Sequence, residues 1–224
     1  IIAIAAMTID HLTWTFLPGY RTDALTLSLH IIGRLTAPIM MYFVVEGYYH
    51  TKNLKKYITR MFGFARIGHF AYALMFDKNF IPFQTSVFDQ TSVMWTLALG
   101  LVALATAKSE SPKLKPWHRQ VIVWGCAIAA FCADWSTPLA MSILYVGINR
   151  GNFRRQMMWF VSFIAAYAIV YAIFLNFAYG IIQMFVVLAI PFIQRYNGER
   201  SKWNGMKWFF YIILSCPFDY ISSY

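Results

Sequence analysis

Charged side chains stand close to histidines throughout the first third of the chain. Four of the five histidines fall within residues 1–69, each adjacent to a charged residue or three to four positions from one. The pairs are Asp10–His11, His30–Arg34, Glu46–His50 and Arg66–His69. Residues three or four apart share one face of a helix. A carboxylate holds a nearby histidine in one tautomer and makes it more basic, and an arginine stabilises developing negative charge. The pattern therefore favours proton-transfer chemistry.

The catalytic candidates are the ionisable side chains that interrupt apolar sequence. Such groups cost several kcal/mol each when a helix inserts into a membrane, so each needs a partner or a function. The candidates are Asp10, His11, Arg34, Glu46 and His50. A structural interpretation stays open for each of them. Asp10 and His11 could join two helices as a hydrogen-bonded pair, Arg34 could be neutralised by Asp10, and the other two could lie at the membrane interface.

Two further histidines and the three cysteines are assigned to packing. His30 and His69 are expected to pack between helices. Cys126, Cys132 and Cys216 lie in apolar surroundings, where a free cysteine behaves as a small hydrophobic residue. No group of histidines, cysteines and acids has the close spacing of a metal site, so no metal is expected.

Membrane-spanning helices are needed to position these groups. The chain has 224 residues, of which 59% are hydrophobic and 12% charged, against about 25% charged in a typical soluble domain. So few charges cannot cover a water-soluble fold of this size. Apolar runs fall at 1–17, 27–49, 58–76, 91–107, 121–133, 138–148, 157–177, 181–193 and 208–221. We therefore expect an all-α polytopic membrane helix bundle with about nine transmembrane or re-entrant helices, forming one domain over residues 1–224.

The basic residues are concentrated in alternate loops. Fifteen of the nineteen Lys and Arg fall in or beside four loops, at 49–57, 108–120, 149–156 and 194–207. All four loops lie on one side under a nine-span count, and the positive-inside rule assigns that side to the cytoplasm. The N-terminus is then expected to be cytoplasmic. The net charge of +10 reports topology on this interpretation, and nucleic-acid binding is not expected.

Three stretches of the sequence resemble one family. They read AAMTIDHLTW, IIGRLTAPIMMYFVVEGYYHTKNLKKYITR and AIPFIQRYNGERSK, the last followed by MKWFFY. They look like the TraX family of bacterial membrane proteins, which is named for the enzyme that acetylates the N-terminus of F-type pilin. The likeness is strongest over residues 1–66. The Asp-His of the first span, with Gly-Arg-x-x-x-Pro-Ile and Glu-Gly-x-x-His-Thr in the second, makes the resemblance specific.

The resemblance implies a multipass acetyltransferase of the bacterial cytoplasmic membrane that uses acetyl-CoA as co-substrate. His11, oriented by Asp10, would act as the base or carry the acetyl group, and Arg34 or Arg66 would stabilise the oxyanion. Glu46 or His50 would replace His11 as the base if the acceptor reacts on the cytoplasmic side. The residues expected to bind the cofactor are Lys52, Lys55, Lys56, Arg60, Arg66 and Asn197.

The acceptor and the functional class stay open at this stage. The acceptor could be a pilin or another membrane peptide, or a surface glycan. Residues 212–224 lack the histidine that the family pattern places near the C-terminus. A proton-coupled transporter would also place charges at membrane depth, although it would usually show paired repeats or broken helices in two matching halves. A non-catalytic assembly factor is the third alternative.

Overall fold

The computed structural model describes residues 2–75, 91–110, 112 and 114–196, and every element in these ranges is helical apart from one isolated bridge between Thr91 and Ala133. The helices are α1 (Ile2–Phe16), α2 (Ala24–Gly33), α3 (Thr36–His50), α4 (Leu54–Met75), α5 (Val93–Ala107), α6 (Pro116–Ala130), α7 (Ser136–Ile148), α8 (Phe153–Phe174), α9 (Phe177–Gln183) and α10 (Ile190–Gln194). A 3₁₀ helix, Met184–Ala189, joins α9 to α10. The all-α part of the expected fold class is confirmed.

Within the described residues, three helical segments are long and apolar enough to cross a membrane. They are Ala24–His50, which contains α2 and α3, Phe153–Phe174, which is α8, and Phe177–Gln194, which runs from α9 to α10. Helices α5 and α7 are apolar but have only 15 and 13 residues, fewer than the roughly 20 that a bilayer core requires. The expected count of about nine spans is therefore not confirmed, and the last of them, 208–221, lies outside the described residues. The three long segments indicate a membrane protein.

The core is centred on α5 and α7, which pack against each other and are buried over most of their length. Their close approach depends on a glycine. A Cβ atom at Gly100 of α5 would overlap the side chain of Ile143 and lie 3.1 Å from the backbone oxygen of Ala140. Small residues let helix backbones approach closely, and the resulting van der Waals contact stabilises bundles that lipid surrounds. Helices α3, α4, α6 and α8 pack around this central pair.

The outer surfaces of α6 and α8 are apolar. Trp124 and Ile128 of α6 and Ile169 and Ile173 of α8 are each more than half exposed. Water-soluble monomers rarely present contiguous apolar surfaces of this kind. These faces are suited to contact with lipid.

Two prolines explain why the first and last of the long segments are irregular. Pro38 lacks the N–H that would bond to the carbonyl of Arg34, and its ring crowds that carbonyl. The helix is accordingly interrupted at positions 34 and 35, between α2 and α3. Pro191 stands in the same relation to Val187, which lies in the 3₁₀ helix. Helix α2 packs on α9, and α3 packs on the 3₁₀ helix, so the two irregular stretches are neighbours.

The turns that carry basic residues meet at one end of the bundle. Side chains from the end of α3, from Lys108 after α5, from Arg150 between α7 and α8, and from Tyr196 after α10 line one cleft. We call this the basic end. At the opposite end, the hydroxyl of Tyr179 in α9 donates a hydrogen bond to the backbone oxygen of Arg21 in the α1–α2 loop, at 3.0 Å.

Candidate functional site

A carboxylate and a histidine from two helices form a buried hydrogen bond. His30 Nδ1 of α2 lies 2.8 Å from Asp10 Oδ1 of α1, and the His30 side chain has no exposed surface. An ionised carboxylate only accepts hydrogen bonds, so the proton is on Nδ1, and His30 is the donor. The two helices approach closely because residue 33 is a glycine, since a Cβ atom at Gly33 would overlap the Asp10 side chain.

The junction between α2 and α3 supplies a buried positive charge. Arg34 Nη2 lies 3.4 Å from Asp10 Oδ1, and Arg34 Nη1 donates to Gln183 Oε1 at 3.2 Å. The guanidinium carbon lies 5.3 Å from the centroid of the Trp135 ring. Both Arg34 and Gln183 are buried. The two irregular stretches therefore meet in one polar network, which we call the buried cluster (Asp10, His30, Arg34 and Gln183).

Aromatic rings surround the histidine of the buried cluster. The centroids of Trp14 and Tyr179 lie 4.6 and 5.4 Å from that of His30. Tyr20 packs edge-on against Tyr179 at 4.9 Å, and its hydroxyl lies 3.3 Å from the hydroxyl of Tyr171. These rings keep water from the histidine, and hydrogen bonds are electrostatically stronger in such a medium.

Two nitrogen atoms of the buried cluster have no hydrogen-bond partner within the described part of the chain. They are His30 Nε2 and Arg34 Nε, and both atoms are buried. A buried polar atom without a partner costs about 1–3 kcal/mol. Because Nδ1 carries the proton, Nε2 of a neutral His30 holds a lone pair, whereas Arg34 Nε carries a hydrogen. His30 Nε2 can therefore accept a proton from a bound group. Arg34 Nε can donate a hydrogen bond to an oxygen of such a group.

A second group of the same residue types lies at the basic end. Arg150 Nε and Nη2 donate to Glu46 Oε1 and Oε2 at 3.1 and 3.0 Å. His50 Nδ1 lies 3.6 Å from Glu46 Oε2, and the Arg150 guanidinium lies 4.4 Å from the centroid of the Tyr49 ring. The hydrogen bonds to Glu46 raise the pKa of Arg150 above its ordinary value. We call Glu46, His50 and Arg150 the surface cluster.

A cleft of about 640 Å³ adjoins the surface cluster. Its lining includes Tyr42, Glu46, Tyr49, Lys108, Arg150 and Tyr196. Phe153, the first residue of the 22-residue helix α8, also lines it. The cleft therefore combines cationic, aromatic and carboxylate side chains with the N-terminus of a long helix.

The structure divides the five catalytic candidates between two places. Asp10, His11 and Arg34 lie in or beside the buried cluster, and Glu46 and His50 lie in the surface cluster. A hydrogen bond to Asp10 comes from His30 of the next helix, a residue that the sequence pattern assigned to packing. Arg34 and Glu46 are 12 positions apart, which corresponds to about 18 Å along α3. One compact site therefore does not contain all five candidates.

The basic residues expected to bind the cofactor lie elsewhere. Five of them are exposed on the α3–α4 turn and on α4: Lys52, Lys55, Lys56, Arg60 and Arg66. The lining of the cleft does not include them. Asn197 lies outside the described residues. The role of these six residues in cofactor binding stays a prediction.

Three residues of the two clusters are absent from the predicted site. His30 is the clearest omission, and its spacing of four from Arg34 is the signal that marks it, because that spacing puts both side chains on one helix face. Gln183 is uncharged and 149 positions from Arg34, so no local pattern links the two. Arg150 lies in a basic loop, where a topological role explains it equally well.

Comparison with known proteins identifies the family. The family described as TraX protein matches residues 1–219. The chain is also similar to a fimbrial assembly protein of Dichelobacter nodosus, named "Probable fimbrial assembly protein FimC, serogroup H1", with 26% identity over 221 residues, covering 95% of this chain and 88% of the relative. No solved structure gives a significant match. The expected resemblance is confirmed, and the chain belongs to the TraX family.

Proposed function

We propose that this chain is a membrane-embedded acetyltransferase that moves an acetyl group from acetyl-CoA to an amine or hydroxyl acceptor. The observation that carries the proposal is that His30 and Arg34 contact the same oxygen of Asp10, while the buried His30 Nε2 and Arg34 Nε have no hydrogen-bond partner within the described residues. Similarity to a fimbrial assembly protein supports the N-terminal amine of a pilin-like peptide as the acceptor. The enzyme for which the family is named acetylates an amine of this kind.

His30 is the general base in this proposal. Its Nδ1 is held by Asp10, so Nε2 removes a proton from the acceptor amine as the amine nitrogen attacks the thioester carbonyl carbon. A C–N bond forms, and the carbonyl oxygen becomes an oxyanion. When this intermediate collapses, the C–S bond breaks, and the thiolate of CoA takes the proton back from Nε2. The products are the acetylated acceptor and CoA with a free thiol.

Arg34 stabilises the oxyanion. Its charge lies in a water-excluded site, where a fixed donor acts on developing charge far more strongly than it would in water. Gln183 holds Nη1 and Asp10 holds Nη2, so the guanidinium is fixed while Nε stays available. Gln183 and Asp10 are therefore positioning residues for this arginine.

The location of the buried cluster suits an acceptor that arrives from the end opposite the basic turns. His30 is six positions from the start of α2 and 16 positions before Glu46, or about 9 and 24 Å along the helix. We place the basic end in the cytoplasm and the protein in the bacterial cytoplasmic membrane, with the N-terminus cytoplasmic. Acetyl-CoA then enters from the basic end, and a pilin-like acceptor enters from the other.

The test is acetyl transfer by the purified full chain in detergent. Radiolabelled acetyl-CoA is supplied with a peptide that has a free N-terminal amine, and the same peptide with a blocked N-terminus is the acceptor control. We expect label on the free peptide, and a loss of rate of about 10²- to 10⁴-fold for His30→Ala. His118→Ala removes a histidine from the start of α6 and is the matched control.

A parallel His11→Ala variant separates the two assignments of the base. Loss of transfer in His11→Ala with full transfer in His30→Ala would assign the base to His11, as the sequence pattern predicts, and would overturn the role given to His30. No transfer of label by the unsubstituted protein to either an amine or a hydroxyl acceptor would overturn the acetyltransferase itself.

Proton-coupled transport is the second candidate, and one observation favours it. Two proline-interrupted segments meet at a buried charge, which is how many transporters build their binding sites. A flux measurement in liposomes tests this candidate. Proton uptake that requires Asp10 and proceeds without acetyl-CoA would favour transport over acetyl transfer.

A further inference from the structure

The cleft and the buried cluster lie along the same pair of segments. Tyr42 of α3 and Tyr196 after α10 line the cleft, and their ring centroids are 6.3 Å apart. Arg34, before α3, and Gln183, at the end of α9, are joined by a hydrogen bond in the buried cluster. Helix α3 contacts both α10 and the 3₁₀ helix between these points. A continuous seam between Ala24–His50 and Phe177–Gln194 therefore links the two places.

The cleft offers charges that an anion would use. Lys108 lines it and is exposed, and no ion pair or hydrogen bond is formed by its side chain within the described ranges. Arg150 donates Nε and Nη2 to Glu46, so the Nη1 group is left for a further acceptor. Because Arg150 neutralises Glu46, the ammonium of Lys108 gives this part of the lining a positive balance.

The cleft also offers groups that recognise a nucleoside. The rings of Tyr42 and Tyr196 supply aromatic surface on which a base can pack. Each oxygen of Glu46 accepts one hydrogen bond from Arg150 and has capacity for another from a hydroxyl or an amino group. The cleft volume, about 640 Å³, falls within the range of about 300–1,000 Å³ that is usual for small-ligand sites.

We propose that this cleft binds the phosphorylated adenosine of CoA, with Lys108 and Arg150 on its phosphates and the tyrosines beside its base. The inference rests on the proposed function, because it locates the cofactor of that reaction. The flexible pantetheine arm then follows the seam toward Arg34. This location replaces the exposed α3–α4 turn as the main binding surface for the nucleotide.

An anionic lipid headgroup shares the phosphate chemistry, and the composition of the cleft favours the nucleotide. A headgroup would use the two cations and leave the tyrosine rings and the carboxylate without a role. The cleft lies among the polar turns of the basic end, and its lining includes none of the large hydrophobic side chains that are exposed in the described part of the chain.

The test is equilibrium binding of CoA and of pantetheine to the full chain in detergent, without any acceptor. We expect Lys108→Gln to weaken CoA binding about tenfold and to leave pantetheine binding unchanged. Lys115→Gln removes the same charge from a neighbouring exposed turn and is the matched control. A double variant, Glu46→Gln with Arg150→Gln, removes both charges of the ion pair together, so it tests the cleft without leaving either charge unpaired.

The rival site is tested by Lys52→Gln combined with Lys55→Gln. A large loss of CoA binding in this variant, with none in Lys108→Gln, would overturn the location. Displacement of CoA by phosphatidylglycerol micelles but not by adenosine 3′,5′-bisphosphate would also overturn it, in favour of a lipid site. The inference and the proposed function fail separately. Lys108-dependent binding without acetyl transfer would contradict the function alone, and transfer with a KM that does not depend on Lys108 would contradict the location alone.

Discussion

The buried and surface clusters use the same three residue types, a carboxylate, a histidine and an arginine, in two different environments. In the buried cluster one oxygen of Asp10 contacts both His30 and Arg34, and one nitrogen of each of these side chains has no hydrogen-bond partner among the described residues. In the surface cluster Arg150 uses both oxygens of Glu46 and is 39% exposed, and His50 is 59% exposed. The two carboxylates are similarly exposed, at 16% for Asp10 and 13% for Glu46, so the main differences are the burial of the histidine and the arginine and how completely the polar atoms are satisfied.

This difference indicates that the buried cluster is the better candidate for a reaction site and that the surface cluster is a stabilising ion pair. An exposed ion pair contributes about 0–1 kcal/mol because water competes for both partners. A buried group carries a large desolvation cost, and removing one partner leaves a charge uncompensated. Incomplete satisfaction in the buried cluster is therefore the stronger sign of a reaction site.

Replacing the two histidines is expected to give the largest contrast. His30→Ala should reduce acetyl transfer by about 10²- to 10⁴-fold, because it removes the proposed base. His50→Ala should reduce it less than about tenfold, because His50 interacts only weakly with a carboxylate that Arg150 already occupies. Initial rates at saturating acetyl-CoA measure both. Equal losses would remove the functional distinction between the clusters.

Neutralising the two carboxylates is expected to give the next contrast. Asp10→Asn should lower the free energy of unfolding by about 3–5 kcal/mol, because Arg34 loses its buried counter-charge. Glu46→Gln should lower it by about 0–1 kcal/mol, since its partner is partly exposed. Unfolding by denaturant in mixed micelles measures the two values. A smaller loss of unfolding free energy for Asp10→Asn than for Glu46→Gln would contradict the conclusion that Arg34 is the more deeply buried of the two arginine partners.

A methyl group added beside each cluster gives a smaller contrast. The Cβ atom added by Gly33→Ala would overlap the side chain of Asp10, including the Cβ and Cγ atoms of that aspartate. Helices α1 and α2 would therefore have to move apart. We expect a loss of about 1–3 kcal/mol. Gly47→Ala would meet the end of the Tyr57 side chain, which can move more freely. We expect a loss below about 1 kcal/mol there, since alanine also favours the helix. The same denaturant unfolding measurement compares the two variants. Equal losses of unfolding free energy would argue against tight contact at Gly33.

A third carboxylate gives the smallest effect and a baseline for exposed positions. Asp23 caps α2, and hydrogen bonds from the backbone and hydroxyl of Thr26 hold its pKa below the ordinary value of 3.8. The stability that ionised Asp23 contributes is present above that ordinary value, and it is lost as pH falls through the lowered pKa. The difference in thermal midpoint between the unsubstituted protein and Asp23→Ala should therefore narrow between about pH 6 and about pH 3. A difference in thermal midpoint that does not change with pH would show that the ionised form of Asp23 is not the source of the stabilisation.

The sequence predicts the helical class and the family, but only part of the site. Long apolar runs predict helices directly, and the motif around Arg34 indicates the TraX family. The hydrogen bond from His30 to Asp10 could not be predicted from adjacency, because it joins residues 20 positions apart and depends on how α1 packs on α2. Gln183 joins the site through a contact across 149 positions, and only the folded arrangement of the segments creates it.

The position of the two prolines has a consequence for how the buried cluster is reached. Missing ladder bonds near Arg34 and in Met184–Ala189 make these joints the easiest places for either segment to bend. The glycine-packed pair α5 and α7 does not have to move when they bend. We therefore expect the buried cluster to open by local bending of these two segments against α5 and α7, at a free-energy cost below that of unfolding the bundle. Backbone amide exchange should accordingly be fastest at these two joints and slowest in α5 and α7.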